Sequence, residues 1–176
     1  MSTTKWIIDP THSEIGFRVR HMMFSNVSGK FQKFESTIET EGDNFEKSTI
    51  RFNADVASIT TGNADRDTHL LSPDFFDTAK YPKIIFNAES FAKKNDGEYI
   101  LTGSLEMHGT TKTISLPIEY SGLLKDPWGN IKAAFAIDTR INRKDWGLNW
   151  NSVLETGGLL VSDEVRLVIE LQFIKQ

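Results

Sequence analysis

Three groups of residues in this 176-residue chain carry side chains able to do chemistry. The first is Asp9, His12 and Ser13 within DPTHS. These are the residue types of a hydrolase triad, but working triads are assembled from distant segments, and residues this close cannot easily form the required hydrogen-bond chain. A strand-initiating turn explains them better. The second group is the histidines at 12, 21, 69 and 108. No HxH or HxxxH pair occurs, and His12 and His21 would face opposite sides of a strand joining them, which argues against a metal centre. The third is polar: Asp65-Arg66-Asp67 with His69, and Arg143-Lys144-Asp145-Trp146-Gly147 with Trp150. Arg66 either receives a polar or phosphorylated head group or belongs to a network pinning its own segment, the structural role being favoured. The aromatic, charged loop at 143–150 either caps a core or contacts a ligand.

Composition narrows the classes further. With 39% hydrophobic residues, 25% charged residues and 12 Phe, the chain reads as one soluble domain over 1–176 with a large apolar interior. A formal net charge of -4 leaves no basic stripe for a phosphate backbone, so nucleic acid is excluded as the main partner. Without cysteine there are no disulfides, thiolate metal sites or cysteine nucleophiles. No apolar run approaches the roughly 18 residues of a spanning helix. Met1 to Lys5 leads straight into Trp6-Ile7-Ile8-Asp9-Pro10 with no basic, apolar or cleavage region of a leader, so the expected location is cytoplasmic.

Strands must position these groups. Ile15, Phe17, Val19 and His21 alternate with Arg18 and Arg20, the period of a half-buried strand. The run MMFSNVSGKF, from Met22 and Met23 to Phe31, reads as a curved or bulged continuation bent at Gly29. Phe34 to Glu41 and Ser48 to Ile59 form a hairpin around Gly42-Asp43-Asn44. Asn95-Asp96-Gly97 turns between an alternating run from Lys83 and one ending at Met107. Pro117 marks an edge or bulge in Thr113 to Tyr120, and Asp126-Pro127-Trp128-Gly129 matches a type I turn. In the last strand, from Val165 to Phe173, Val168 interrupts the polar face, which implies partial cover. The exception is Asn63 to Pro82, where Ser72-Pro73-Asp74 resembles a helix start ahead of Phe75 and Phe76. Eight or nine antiparallel strands with one helical interruption favour an all-β closed meander, wide enough either to fill with side chains or to hold one small ligand.

In their order along the chain, these motifs resemble the YceI-like family. They are Trp6-x-Ile8-Asp9-Pro10-x-His12-Ser13-x-Ile15-x-Phe17-x-Val19-x-His21, Ser28-Gly29-x-Phe31, Arg66-Asp67-x-His69-Leu70 to Asp77, Tyr81-Pro82 and Gly109-Thr110-Thr111-Lys112. They continue through Asp126-Pro127-Trp128-Gly129, Asn142-Arg143-x-Asp145-Trp146-Gly147 and Gly157-Gly158-x-Leu160 to Val165. The resemblance implies a lipocalin-like antiparallel β-barrel with an elongated apolar cavity, in line with the about eight strands and the helical insertion around 63–78 read from the residues. It also implies dimerisation and a long-chain apolar ligand such as a polyisoprenoid or an isoprenoid quinone.

The expected ligand contacts are Phe17, Val19, His21, Phe24, Phe31, Arg66, Leu70, Phe75, Phe76, Phe86, Leu101, Phe135, Arg143, Trp146 and Trp150. Non-enzymatic binding or transport of an amphiphile, fatty acids and amides included, is the function this implies, with neither metal nor resident cofactor. Two other readings remain. A hydrolase or isomerase acting on a lipid head would use His12, His21 or His69 as base. A stress-related interaction module would have a filled barrel.

Overall fold

The computed structural model describes residues 2–22, 24–152 and 160–176; Met23, Gly157 and Gly158 lie outside them. The strands are β1 (Thr3–Ile8), β2 (Glu14–His21), β3 (Ser25–Phe31), β4 (Phe34–Glu41), β5 (Asn44–Asp55) and β6 (Ile59–Thr60). After helix α1 (Ala64–Leu71) come β7 (Lys83–Asn95), β8 (Glu98–Met107), β9 (Thr110–Lys125), β10 (Ile131–Asn142) and β11 (Val161–Lys175). All pairings are antiparallel, in the order β1-β4-β5-β7-β8-β9-β10-β11-β2-β3-β6, with β1 also paired to β11.

The segments combine into eight long staves. β1 and β2 form one stave, since β1 pairs with β4 and β11 while β2 pairs with β3 and β11. β3 continues into β4, and β5 into β6 across a 3₁₀ turn at Val56–Ser58. The result is an eight-stranded antiparallel barrel in which each stave pairs with its sequence neighbour and the last returns to the first. Closure leaves no free edge along the seam.

Two local expectations are corrected. The run after His21 does not continue the strand: Met22 takes φ 55°, and β3 runs back along β2 with Ser25 opposite His21 and Val27 opposite Val19. Gly29 is no bend. A Cβ there would sit 2.4 Å from the tip of the Phe17 ring, so glycine is the space in which Phe17 lies across its neighbour. The helix also begins eight residues before Ser72, at Ala64. The Asn63 side chain accepts from the Arg66 N–H at 3.0 Å, and Asp65 and Asp67 occupy the first turn, where the dipole favours them. Ser72 instead ends α1, donating from both backbone and hydroxyl to the His69 carbonyl, and Pro73 prevents continuation.

Other features follow the pattern of the sequence. Gly129 donates to the Asp126 carbonyl at 3.1 Å, closing the expected turn, and Asp126 Oδ1 accepts from Trp128 and Asn130. Pro117 stands two residues beyond the last β9–β10 pair, Glu119 with Ala136, where β8 is the partner. Val168 is half-buried between Asp138 and Gly16.

The bend between β1 and β2 is fixed by Asp9, which is 8% exposed. Its N–H donates to the Gln172 carbonyl, and its carboxylate accepts from Thr11, His12 Nδ1 at 2.8 Å and Lys132 Nζ at 2.9 Å. Burial opposes ionisation of Asp9, but the hydrogen bonds from Lys132, Thr11 and His12 more than offset it, holding the carboxyl well below the usual carboxylate range. Ionised Asp9 therefore stabilises the fold fully above its unfolded pKa, near 3.9, and this contribution is lost as pH falls through the folded value. We expect Asp9→Asn to lower stability by about 2 kcal/mol at neutral pH, with the gap to the parent narrowing below about pH 4, as read from urea unfolding midpoints across pH.

Candidate functional site

Inward side chains of the staves enclose a cavity of about 350 Å³. At the end where β5 begins and β11 finishes, aromatic rings form its floor. Phe45 lies 5.1 Å from Trp6 and 5.4 Å from Phe135, and Phe135 lies 4.9 Å from Tyr120 and 5.9 Å from Phe173. Phe91 adds a stacked pair with Tyr99 at 4.7 Å. Such pairs contribute about 0.5–1.5 kcal/mol each beyond area burial. Burial pushes the Tyr120 phenol up to about 12, assisted by Tyr99 and Asp43, as a poorly hydrated floor requires.

The opposite end carries α1, the residues after it and the loop from Arg143. The chain past α1 folds back because the N–H groups of Phe76 and Thr78 donate to the carbonyls of Leu70 and Leu71, with Asp77 at φ 49°. That turn sets Phe75 and Phe76 apart. Phe76 meets Phe31 edge-on at 6.2 Å, and Phe31 meets Phe17 at 5.8 Å. Phe75 is instead buried in a trio with His69 and Trp150, at 5.1 and 5.2 Å, and His69 meets Trp150 at 4.8 Å. The trio ties α1 to the 143–152 segment.

Arg143 is 4% exposed although it is a cation. β11 slips register against β2 between Val161 and Val165, which leaves carbonyls of the slipped residues without ladder partners. Arg143 fills that need, donating from Nε to Ser162, from Nη2 to Val161 and from Nη1 to Leu148. Burial lowers its pKa from the ordinary value, with the Asp163 charge opposing.

All the expected contacts line the cavity except Phe24 and Trp146. Phe24 is 90% exposed at the β2–β3 turn, because the reversal of the chain carries it past the rim. Trp146 is 1% exposed but stands outside the wall as a strut. Its Nε1 donates to the Leu105 carbonyl, and its own carbonyl accepts from His108 Nδ1 in the β8–β9 turn. Sequence reasoning missed Phe45, Phe91 and Phe173 as wall residues. Taken singly each resembles plain core; the available signal was their placement near strand termini at one end of the meander.

The other chemical groups separate. Ser13 Oγ exchanges hydrogen bonds with the Gln172 backbone, while His12 is bonded to Asp9, so the three form no relay. His21 and His69 line the cavity, His12 sits at the β1–β2 bend and His108 supports Trp146. Among the described residues, no group of three His, Asp or Glu is placed to hold a metal ion.

A YceI-like domain profile matches residues 6–173. A UPF0312 protein of Staphylococcus aureus is 34% identical over 173 residues, covering 97% of each chain. Among solved structures, Burkholderia cenocepacia BcnA superposes with a TM-score of 0.81 at 21% identity, over 94% of this chain and 98% of its own. A polyisoprenoid-binding domain from Saccharophagus degradans gives a TM-score of 0.70 at 16% identity, over 97% and 98%.

If the void is where apolar molecules dissolve, filling it from the wall abolishes uptake without unfolding the barrel. Ile137, buried and facing the cavity, is the position to enlarge. We expect Ile137→Trp to change stability by less than about 1.5 kcal/mol, because the indole enters empty space, and to cut binding of the neutral dye N-phenyl-1-naphthylamine at least tenfold in a fluorescence titration.

Proposed function

The chain belongs to the YceI-like domain family, and from that premise we propose that it binds, sequesters or carries one long-chain apolar amphiphile inside the barrel without turning it over. Candidates are a polyisoprenoid, an isoprenoid quinone, or a fatty acid or amide. The observation that carries this reading is the cavity. Its volume is about 350 Å³ and its lining is almost wholly apolar, so it offers water few hydrogen-bond partners while giving an apolar chain contact on every side.

The lining favours a chain over a compact polar substrate. Apart from Ser36, Thr61 and the cationic or imidazole groups of Arg66, Arg143, His21 and His69, its side chains are apolar. At about 0.8 kcal/mol per buried methylene, ten carbons contribute on the order of 8 kcal/mol against an association cost of roughly 4–15 kcal/mol, so tail length governs affinity. The domain from Saccharophagus degradans, described as polyisoprenoid-binding, supports the same reading through its fold. A homodimer and a cytoplasmic location belong to the proposal; light scattering of the purified protein and cell fractionation test them.

Two measurements check the carrier reading. Native mass spectrometry of protein purified without detergent is expected to show one hydrophobe per chain, with the same mass recovered in an organic extract. An empty barrel that also refuses added isoprenoid quinone and fatty amide sinks it. Replacing Phe75 and Phe76 together by alanine is expected to weaken binding of the extracted ligand about tenfold, through the apolar area lost at the lid.

A further inference from the structure

The titratable side chains on the described cavity wall all belong to basic residues. They are Arg66, Arg143, His21 and His69, and among the described residues no Asp, Glu or Lys lines the cavity, although the chain has 24 acidic residues and a net charge of -4. All four sit at the lidded end. His21 ends β2, Arg66 and His69 are three residues apart on one face of α1, and Arg143 follows β10. Trp150 draws them together: it packs on His69, and it lies two residues beyond Leu148, whose carbonyl Arg143 holds.

Neither arginine has a carboxylate partner within ion-pair distance among the described residues. Arg66 Nε and Nη2 donate to the hydroxyl and carbonyl of Thr61, which aims the guanidinium and leaves its positive charge uncompensated. Of the neighbouring carboxylates, Asp67 accepts from the Thr61 N–H and hydroxyl, Asp74 accepts from His69 Nε2, and Asp163, whose charge acts on Arg143 from beyond ion-pair distance, lies 3.3 Å from Lys144 Nζ. A cation desolvated without a partner is costly, and a guanidinium fork matches carboxylate and phosphate oxygens better than it matches neutral acceptors.

We propose that the amphiphile's head group is anionic, a carboxylate or a phosphate ester, received between Arg66 and Arg143 at the mouth while the apolar tail runs toward the aromatic floor. This rests on the carrier reading and narrows its ligand class. An arginine kept only to clamp backbone carbonyls would stabilise the fold and show no preference among head groups.

The test uses one tail with three heads: dodecanoate, dodecyl phosphate and 1-dodecanol, each titrated into the whole delipidated protein at pH 7 and low salt, with displacement of N-phenyl-1-naphthylamine as the signal. One or both anions are expected to bind at least tenfold more tightly than the alcohol, and which of them leads identifies carboxylate or phosphate as the natural chemistry. Arg66→Gln is expected to bring the anion-to-alcohol ratio close to one, as is Arg143→Gln if it folds. Equal or tighter binding of the alcohol overturns the anionic head while leaving a neutral-lipid carrier standing. A ratio unmoved by Arg66→Gln and Arg143→Gln overturns their assignment as its receptors. Failure of all three probes to bind overturns the anionic head, and the carrier reading then stands or falls on the mass-spectrometric test.

Discussion

The barrel depends on a seam. β11 is the last stave, and along one edge it must meet both halves of the first, β2 through its earlier residues and β1 at Phe173 to Lys175. The first stave is bent between those halves, so one straight strand matches it only if the bend is held at a fixed angle. Asp9 and Ser13 hold it, both bonded to the backbone of Gln172, with Lys132 of β10 clamped to the same carboxylate. With the seam made, each stave is hydrogen-bonded to a stave on either side. The walls then stand without needing side chains to fill the whole interior.

That freedom is used unevenly. One end is packed with interlocking rings, which supply the apolar burial a domain of this size requires. The other end spends its aromatic residues on a lid, holding α1 against a loop instead of against a solid core. The fold is thus a stiff cup with a fastened cover, and its polar chemistry is confined to the rim, where dielectric and access differ most from the interior.

How much of this was legible in the sequence follows from which physics is local. The alternation in Phe34 to Glu41 and in Lys83 to Met107, and the turns at Asp96-Gly97 and Asp126 to Gly129, are decided by neighbours in the chain, and they were read correctly. The reversal at Met22 was not, because a non-glycine residue with positive φ has no compositional mark. Gly29 was seen but misassigned, since its reason, the Phe17 ring, lies across a strand pair that the sequence does not display. Asn63 and Ser72 are both cap-type residues, and only the tertiary setting decides which opens a helix and which closes one. Within the site, side chains on regular strands fell on the cavity wall as alternation required. Trp146 and Phe24 did not, because a 3₁₀ turn and a tight hairpin break the two-residue period that tells inside from outside.

The aromatic floor sets a direction of traffic. A tube closed at one end has a single doorway, so a flexible guest must leave along the path by which it came. On the proposed carrier reading, a tail lying toward the floor goes in first and comes out last, and any acceptor meets the head group before it meets the hydrocarbon. Exchange is then a question of timing at the doorway. On that same reading, unfastening the ring trio of His69, Phe75 and Trp150 is the step that sets residence, while the length of the tail sets how much is lost on departure.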